Sequence, residues 1–325
     1  KDIYLYPLVD DLPERVGVQR PPVEALAAES GLDAAGWAQQ EFGECELGDP
    51  RRTRRLVKIV GDQASQPSGS YAQAAGGNRH DLKGYYRFLN HERGELDPES
   101  LLQTHRTQTI RRMKQEPTVL IVQDTTSLNF STRSACEGLG QIGTNQTGTQ
   151  SRGLELHSSL AVGDSGLPLG VLRLQGYAPA PPGRSPDARP SFQAPPRRSP
   201  ESAKGKDPDR PIQEKESYRW LQAYADAAEV AALIPDTRVI NVNDREGDLF
   251  ELFDLRRQRP GRKAELLVRA QWDRCLEGSD AKLFEELAAA PLAKTVTIPV
   301  PRQREHPAKP SSPGRPALPA RTAKV

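Results

Sequence analysis

Residues 118–124 read TVLIVQD. Five aliphatic or β-branched residues run together and stop at Gln123 and Asp124. The run is too short for a buried helix and rich in strand formers, so it reads as a strand. It also marks a change of period along the chain. Upstream, residues 31–115 carry apolar residues at helical spacing. Downstream, residues 154–162 (LELHSSLAV) and 169–178 (LGVLRLQGYA) are further strand-like runs between Gly-rich turns.

Working outward, GDPRRTRRLVKIVGDQ (48–63) opens a helix. Asp49 can cap its free N–H groups and Pro50 suits its first position. Leu56, Ile59, Val60 and Gln63 follow at helical spacing. Further helices are expected around residues 81–91 and 101–115. On the C-terminal side, 214–234 (EKESYRWLQAYADAAEVAALI) is a strong helix. Trp220, Tyr224, Ala227 and Ala231 share one face, widened by Leu221, Ala225, Ala228 and Ala232. Residues 237–258 read as strand, turn and helix, 264–272 as a strand, 282–290 as a short helix and 294–301 as a last strand. Three strands joined by turns, then strands joined through helices, give an α/β fold. The expected core is a ribonuclease-H-like mixed sheet with helices on its faces, preceded by an all-helical domain. Fold order alone does not give function.

The organisation expected is a poorly ordered arm at 1–30, a helical domain at 31–115, a sheet core at 116–300 and a Pro-rich basic tail at 301–325. Within the core, 178–212 is dense in Pro, Arg, Ser and Asp and buries too little apolar surface to order itself. The whole chain has 325 residues and a formal net charge of +2, with 29 prolines and a hydrophobic content of 36%, below the usual level. The tail holds Arg302, Arg304, Lys309, Arg315, Arg321 and Lys324 against Glu305, and the rest is slightly acidic. Cys45, Cys136 and Cys275 show no ligand or disulfide spacing, which excludes a zinc site or disulfide framework and fits a reducing cytoplasm. No run of about 18 apolar residues or signal peptide is present. The chain opens on Lys1, so its natural start is expected upstream.

Two constellations carry chemistry. Asp124 and Asp244 each end an apolar strand, in TVLIVQD and VINVND. In an open α/β sheet the ligand crevice lies beyond such strand ends. On neighbouring strands two carboxylates would repel, and a divalent cation removes that cost. Hard oxygen donors suit magnesium or manganese. Metal ions there can activate water and stabilise the leaving oxygen of a phosphodiester. The plain alternative is that both are turn or capping residues. Asp248 can cap the helix that follows and leave Asp244 free of that task. The second constellation is Arg51, Arg52, Arg54, Arg55 and Lys58 at one helix start, where cations oppose the helix dipole. Arg51, Arg55 and Lys58 share a face that a phosphate backbone would neutralise; a solvated charged face is the alternative. Tyr85, Tyr86 and Arg87 could add stacking and a phosphate contact, although Tyr86 and Phe88 suit a core equally well. GLGQIG at 138–143 follows no strand and opens no helix, so it reads as a loop rather than a dinucleotide site. His157 reads as a sheet histidine with satisfied bonds.

Taken in order, WAQQEFGECELGDPRRTRRLV (37–57), YRFLN (86–90), QDTTSLNF (123–130), SRGLELHSSL (151–160), EKESYRWL (214–221) and VINVNDREGDLFELF (239–253) resemble the bacterial insertion-sequence transposases of the Tn-five type. These are DDE cut-and-paste enzymes, and the resemblance runs from about residue 35 to 300. It implies a helical DNA-binding domain, a ribonuclease-H-like catalytic core, magnesium (or manganese), double-stranded transposon-end DNA as partner, and a homodimer acting on DNA in the bacterial cytoplasm. The implied reaction is hydrolysis at transposon ends followed by strand transfer. Asp124 and Asp244 match the first two catalytic and metal-binding carboxylates. Arg51, Arg52, Arg55 and Arg87 match DNA-contacting positions, and Arg245 and Arg269 match basic positions near the active site. The family's third carboxylate lies in a Tyr-x-x-Arg-x-x-x-Glu-x-x-x-x-x-x-Lys motif with no counterpart here. Glu285 and Glu286 sit in a context that does not match it. The expectation is therefore a truncated, catalytically impaired copy lacking the C-terminal dimerisation region. The alternatives are a non-catalytic DNA-binding relic or inhibitor, or a free-standing nuclease of the same fold using another acid.

Overall fold

The computed structural model describes residues 31–90, 98–133, 135–144, 150–179, 211–276, 278–291, 297–300, 302–305 and 314–324. The expected arm at 1–30 and nearly all of the expected insert at 178–212 lie outside these residues.

Five helices come first: α1 (Ala34–Phe42), α2 (Pro50–Ser65), α3 (Tyr71–Ala74), α4 (Arg79–Leu89) and α5 (Pro98–Met113). The starts of the first four are written in side chains. Asp33 accepts from the Gly36 N–H, Asp49 from Arg51, and Asn78 from His80 and Asp81, while Ser70 and Gln73 form a reciprocal capping box. Their inward faces meet in one core of Cys45, Leu47, Leu56, Ile59, Ala75, Tyr85 and Phe88. Gly61 of α2 packs against α1, where a Cβ would make ordinary contact with Ala35 and Ala38 at 3.4–3.5 Å.

The sheet follows. β1 (Thr118–Asn129) pairs antiparallel with β3 (Gln150–Gly163), which pairs antiparallel with β2 (Gly140–Thr144) and β4 (Pro168–Tyr177) on its other edge. On its far side β1 runs parallel to β5 (Arg238–Asn243), and β5 runs parallel to β6 (Glu265–Val268). This is the expected mixed sheet. The GLGQIG stretch differs from its expectation: Gly140–Thr144 is strand β2. The register slips between Gln141 and Gly143, whose φ of +142 suits glycine, and pairing with β3 supplies order that the local sequence lacks.

Helix α6 (Tyr218–Leu233) joins β4 to β5, and α7 (Phe250–Gln258) joins β5 to β6. Trp220, Leu221, Tyr224, Ala227, Ala228 and Ala231 of α6 share one buried core with Val119, Ile121, Ala161 and Val239 of the sheet. The alanines keep the helix thin on that side, so Trp220 reaches the His157 ring edge-on at 4.6 Å between centroids.

The helical region and the sheet belong to one compact unit, Pro21–Gln271. A buried joint ties them. Glu41 of α1 is fully buried and accepts from Arg112 of α5 at 2.5 and 3.2 Å, and pairs with His105 Nδ1 at 2.6 Å. Arg112 Nε also donates to the Leu169 carbonyl, and the Val171 N–H donates to His105 Nε2. Between those two β4 residues, Gly170 has φ +144, and a Cβ there would fall 2.1 Å from Thr109 Oγ1.

This compact unit ends at Gln271. The second unit contains α8 (Leu283–Ala289) and a hairpin of β7 (Thr297–Val300) and β8 (Arg321–Lys324). Part of the expected tail is therefore strand, because Arg321–Lys324 supplies the pairing partner that β7 needs. Glu285 and Glu286 lie on α8; Glu285 accepts from the Lys282 N–H and Glu286 from Ser279 Oγ.

Candidate active site and nucleic-acid interface

Parallel pairing aligns Thr118 with Arg238 and Val122 with Val242. That pairing ends at Val122 and Val242, and Asp124 and Asp244 each follow two residues later in sequence. The expected strand end at Asp124 is corrected: pairing with β3 carries β1 on to Asn129, and Asp124 sits within it, exposed and opposite Ser158. Asp244 is exposed at the head of a one-turn 3-10 helix, Arg245–Gly247, and accepts from the Glu246 N–H at 2.8 Å. The expectation that Asp248 caps the following helix is corrected. Asp248 is buried and accepts from the Gln271 N–H at 2.7 Å, while α7 has Leu249 at its N-cap with no side-chain cap. The 3-10 turn separates strand from helix, so the capping task passes to Asp244 itself.

Arg245 is exposed on that turn. Arg269 is exposed immediately beyond β6, and its N–H donates to the Asn243 carbonyl at 3.1 Å. Asp244, Arg245 and Arg269 thus lie just beyond the C-terminal ends of β5 and β6, whereas Asp124 lies midway along β1. Among the described residues no group of three His, Cys, Asp or Glu could hold a metal ion. Two carboxylates with open positions still match the way magnesium binds, through one or two acids with waters and substrate phosphates completing its shell.

Beneath the carboxylates runs a buried polar chain that sequence reasoning missed. Gln123, Asn241, Asn243 and His157 are all at most 3% exposed. Gln123 Nε2 donates to Asn241 Oδ1 at 2.6 Å, and Asn241 Nδ2 to Asn243 Oδ1 at 2.9 Å. His157 bridges Thr125 at 2.9 Å and Gln123 at 3.3 Å. Burial, with the Arg219 and Arg173 charges, pushes the His157 pKa down to about 3, so the ring is neutral. The signal was present: amides interrupt apolar runs immediately before each aspartate, in IVQD and NVND.

The basic helix start divides on inspection. Arg51 and Arg54 are exposed. Arg52 donates to the Leu47 carbonyl at 3.0 Å. Arg55 pairs with Asp81 at 3.3 Å and packs over Gly84, where a Cβ would meet its guanidinium at 2.7 Å. Lys58 pairs with Asp62 and Asp81 at 3.0 and 3.5 Å, and the Tyr85 hydroxyl also donates to Asp62. On the expected phosphate face of Arg51, Arg55 and Lys58, Asp62 of α2 and Asp81 of α4 counter two of the three cations. Tyr85 belongs to the core, whereas Tyr86 is 50% exposed and meets Tyr71 edge-on. Arg79, Lys83 and Arg87 recur every four residues along the exposed side of α4 beside Tyr86. None of the three has an ion-pair partner among the described residues. Sequence reasoning named Arg87 and Tyr86 but passed over Arg79 and Lys83, although their spacing was visible.

No helix among the described residues is long and apolar enough to cross a membrane. Residues 34–94, which take in α1 through α4, match the family model for transposase DNA-binding, and this supports DNA as the partner of the chain and a transposase as its kind.

Proposed function

We propose that this chain is a DDE-type insertion-sequence transposase acting at transposon-end duplex DNA. The helical region grips DNA through Arg51, Arg54 and the Arg79, Lys83, Arg87 and Tyr86 side of α4, with Arg52 and Arg55 shaping the same surface. The sheet is read as a ribonuclease-H-like core, supported by its order of four antiparallel strands followed by two parallel ones. The observation that supports the reading is the parallel pairing of β1 with β5, the strands that carry Asp124 and lead to Asp244, in a chain whose 34–94 segment matches a transposase DNA-binding family.

Asp124 and Asp244 would hold magnesium, or manganese in its place. When bound, the ion supplies a Lewis acid that activates water and stabilises developing oxyanion charge. The chain's own residues orient the substrate. Arg245 and Arg269 bring positive charge to the scissile phosphate beside Asp244, and the bound DNA is anchored by the α4 cations. A homodimer would bring two ends together.

Cleavage of duplexes taken from both flanks of the chain's own gene tests the reading. Binding plus manganese-dependent nicking that Asp124→Asn and Asp244→Asn both abolish supports it. A second reading, a DNA-binding protein that does not cut, is favoured by the lack of a third acid grouped with the pair among the described residues. Binding without nicking by the wild-type chain selects that second reading, and failure to bind any DNA overturns both.

A further inference from the structure

Arg219 stands in the first turn of α6, and its side chain is only 11% exposed. Its guanidinium points three ways. Nη1 donates to the Glu216 carbonyl at 2.9 Å, which holds the group at the helix start. Nη2 donates to Glu246 Oε2 at 2.9 Å, and Nε to Thr125 Oγ1 at 3.3 Å. The Tyr177 ring lies beneath the cation at 5.5 Å. Glu246 is two residues after Asp244 and is the residue whose N–H binds the Asp244 carboxylate. Thr125 is the residue after Asp124. One planar cation thus touches both chain segments that carry the paired aspartates.

The contact also closes a ring. With His157 neutral and its proton on Nε2, the five links from Arg219 to Asn243 all run from donor to acceptor in one sense. Arg219 donates to Thr125, Thr125 to His157, His157 to Gln123, Gln123 to Asn241, and Asn241 to Asn243. Asn243 precedes Asp244, and the following turn lies directly on it: a Cβ on Gly247 would fall 2.5 Å from Asn243 Cβ. From Asp244 the path returns through Glu246 to Arg219.

We infer that Arg219 is a positioning residue that sets the separation of Asp124 and Asp244 by clamping Thr125 and Glu246 together; this rests on the metal reading above. The pair itself adds little stability, because the Glu246 side is 59% exposed. Its consequence is geometric. A lysine keeps the charge but cannot reach all three acceptors from one rigid plane.

The test is manganese binding to the full chain, followed by the loss of free Mn²⁺ signal in electron paramagnetic resonance, with thermal unfolding in parallel. Arg219→Lys and Glu246→Gln are each expected to weaken Mn²⁺ binding about tenfold or more, the scale seen when groups that orient metal ligands are lost. Glu246→Gln should leave the unfolding temperature unchanged. Arg173→Lys is the control, because Arg173 pairs with Asp226 of the same helix at 2.7 Å and touches neither segment. It should leave Mn²⁺ binding unchanged. Wild-type affinity in both Arg219→Lys and Glu246→Gln overturns the clamp alone, as does an equal loss in Arg173→Lys. A wild-type chain that binds no Mn²⁺ overturns the metal reading and the clamp with it.

Discussion

Arg112→Met removes the cation from a carboxylate that has no access to water. Glu41 is fully buried, and Arg112 supplies two of its three close polar contacts, at 2.5 and 3.2 Å, leaving only His105 at 2.6 Å. Breaking a buried pair from one side costs about 3–5 kcal/mol, since the remaining charge stays desolvated. The Leu169 carbonyl also loses its donor, adding about 1 kcal/mol. A loss of about 4–6 kcal/mol is a large share of the roughly 5–15 kcal/mol available to a typical domain. Urea unfolding followed by circular dichroism is the assay. The double variant Glu41→Gln/Arg112→Met buries no charge, so it should recover most of the loss. A single-variant loss below about 1 kcal/mol, or a double variant as weak as Arg112→Met, refutes the reasoning. The joint also has a pH signature. Burial alone would raise the Glu41 pKa, but the bonds and charges of His105 and Arg112 outweigh it and leave it lowered. A carboxyl lowered on folding gives stability that is present above its unfolded value of 4.5 and fades as pH falls through the folded value. Glu41→Gln should lack that part of the acid loss.

Gly170→Ala should cost about 2 kcal/mol or more in the same assay, from a φ of +144 and a Cβ placed against Thr109. His157 is held neutral by burial, with a folded pKa of about 3 against 6.5 unfolded, so its share of stability is full above 6.5 and declines below it. That slope reaches about 1.4 kcal/mol per pH unit at its steepest, and His157→Gln should flatten it in unfolding scans run from pH 7 to 5. On α4, Arg79→Ala, Lys83→Ala and Arg87→Ala should each lower the slope of log affinity against log salt for duplex DNA by about one, with no change in melting temperature. Arg55→Ala should lower the melting temperature as well, because it leaves Asp81 with one cation fewer. A salt slope left unchanged by all three α4 variants would remove that face from the DNA contact.

The sheet and its helices were legible because local signals agreed with the final pairing. TVLIVQD opens β1, which pairing with β3 extends to Asn129, and the Trp220, Tyr224, Ala227, Ala231 stripe is the buried side of α6. The misses share a cause: each was decided by a partner distant in sequence. β2 has weak strand character of its own and is ordered by β3. β8 lies in a Pro-rich segment and is defined by β7. Arg55 and Lys58 looked free because Asp81, 26 residues beyond Arg55, is invisible to helical spacing. At the candidate site the two aspartates could be found because each closes an apolar run in sequence, whereas Arg219 could not. Its role depends on Thr125, 94 residues before it, and on Glu246, 27 after.

In the proposed site Asp124 and Asp244 face one metal ion. Iron-directed backbone cleavage measures this directly: Fe²⁺ replaces Mg²⁺, and ascorbate with peroxide cuts the chain at whatever lies beside the ion. Two cuts are expected in the same sample, one near Asp124 and one near Asp244, both lost in Asp124→Asn and both suppressed by excess Mg²⁺. A cut at only one of the two positions, or cuts that persist in Asp124→Asn, would contradict it.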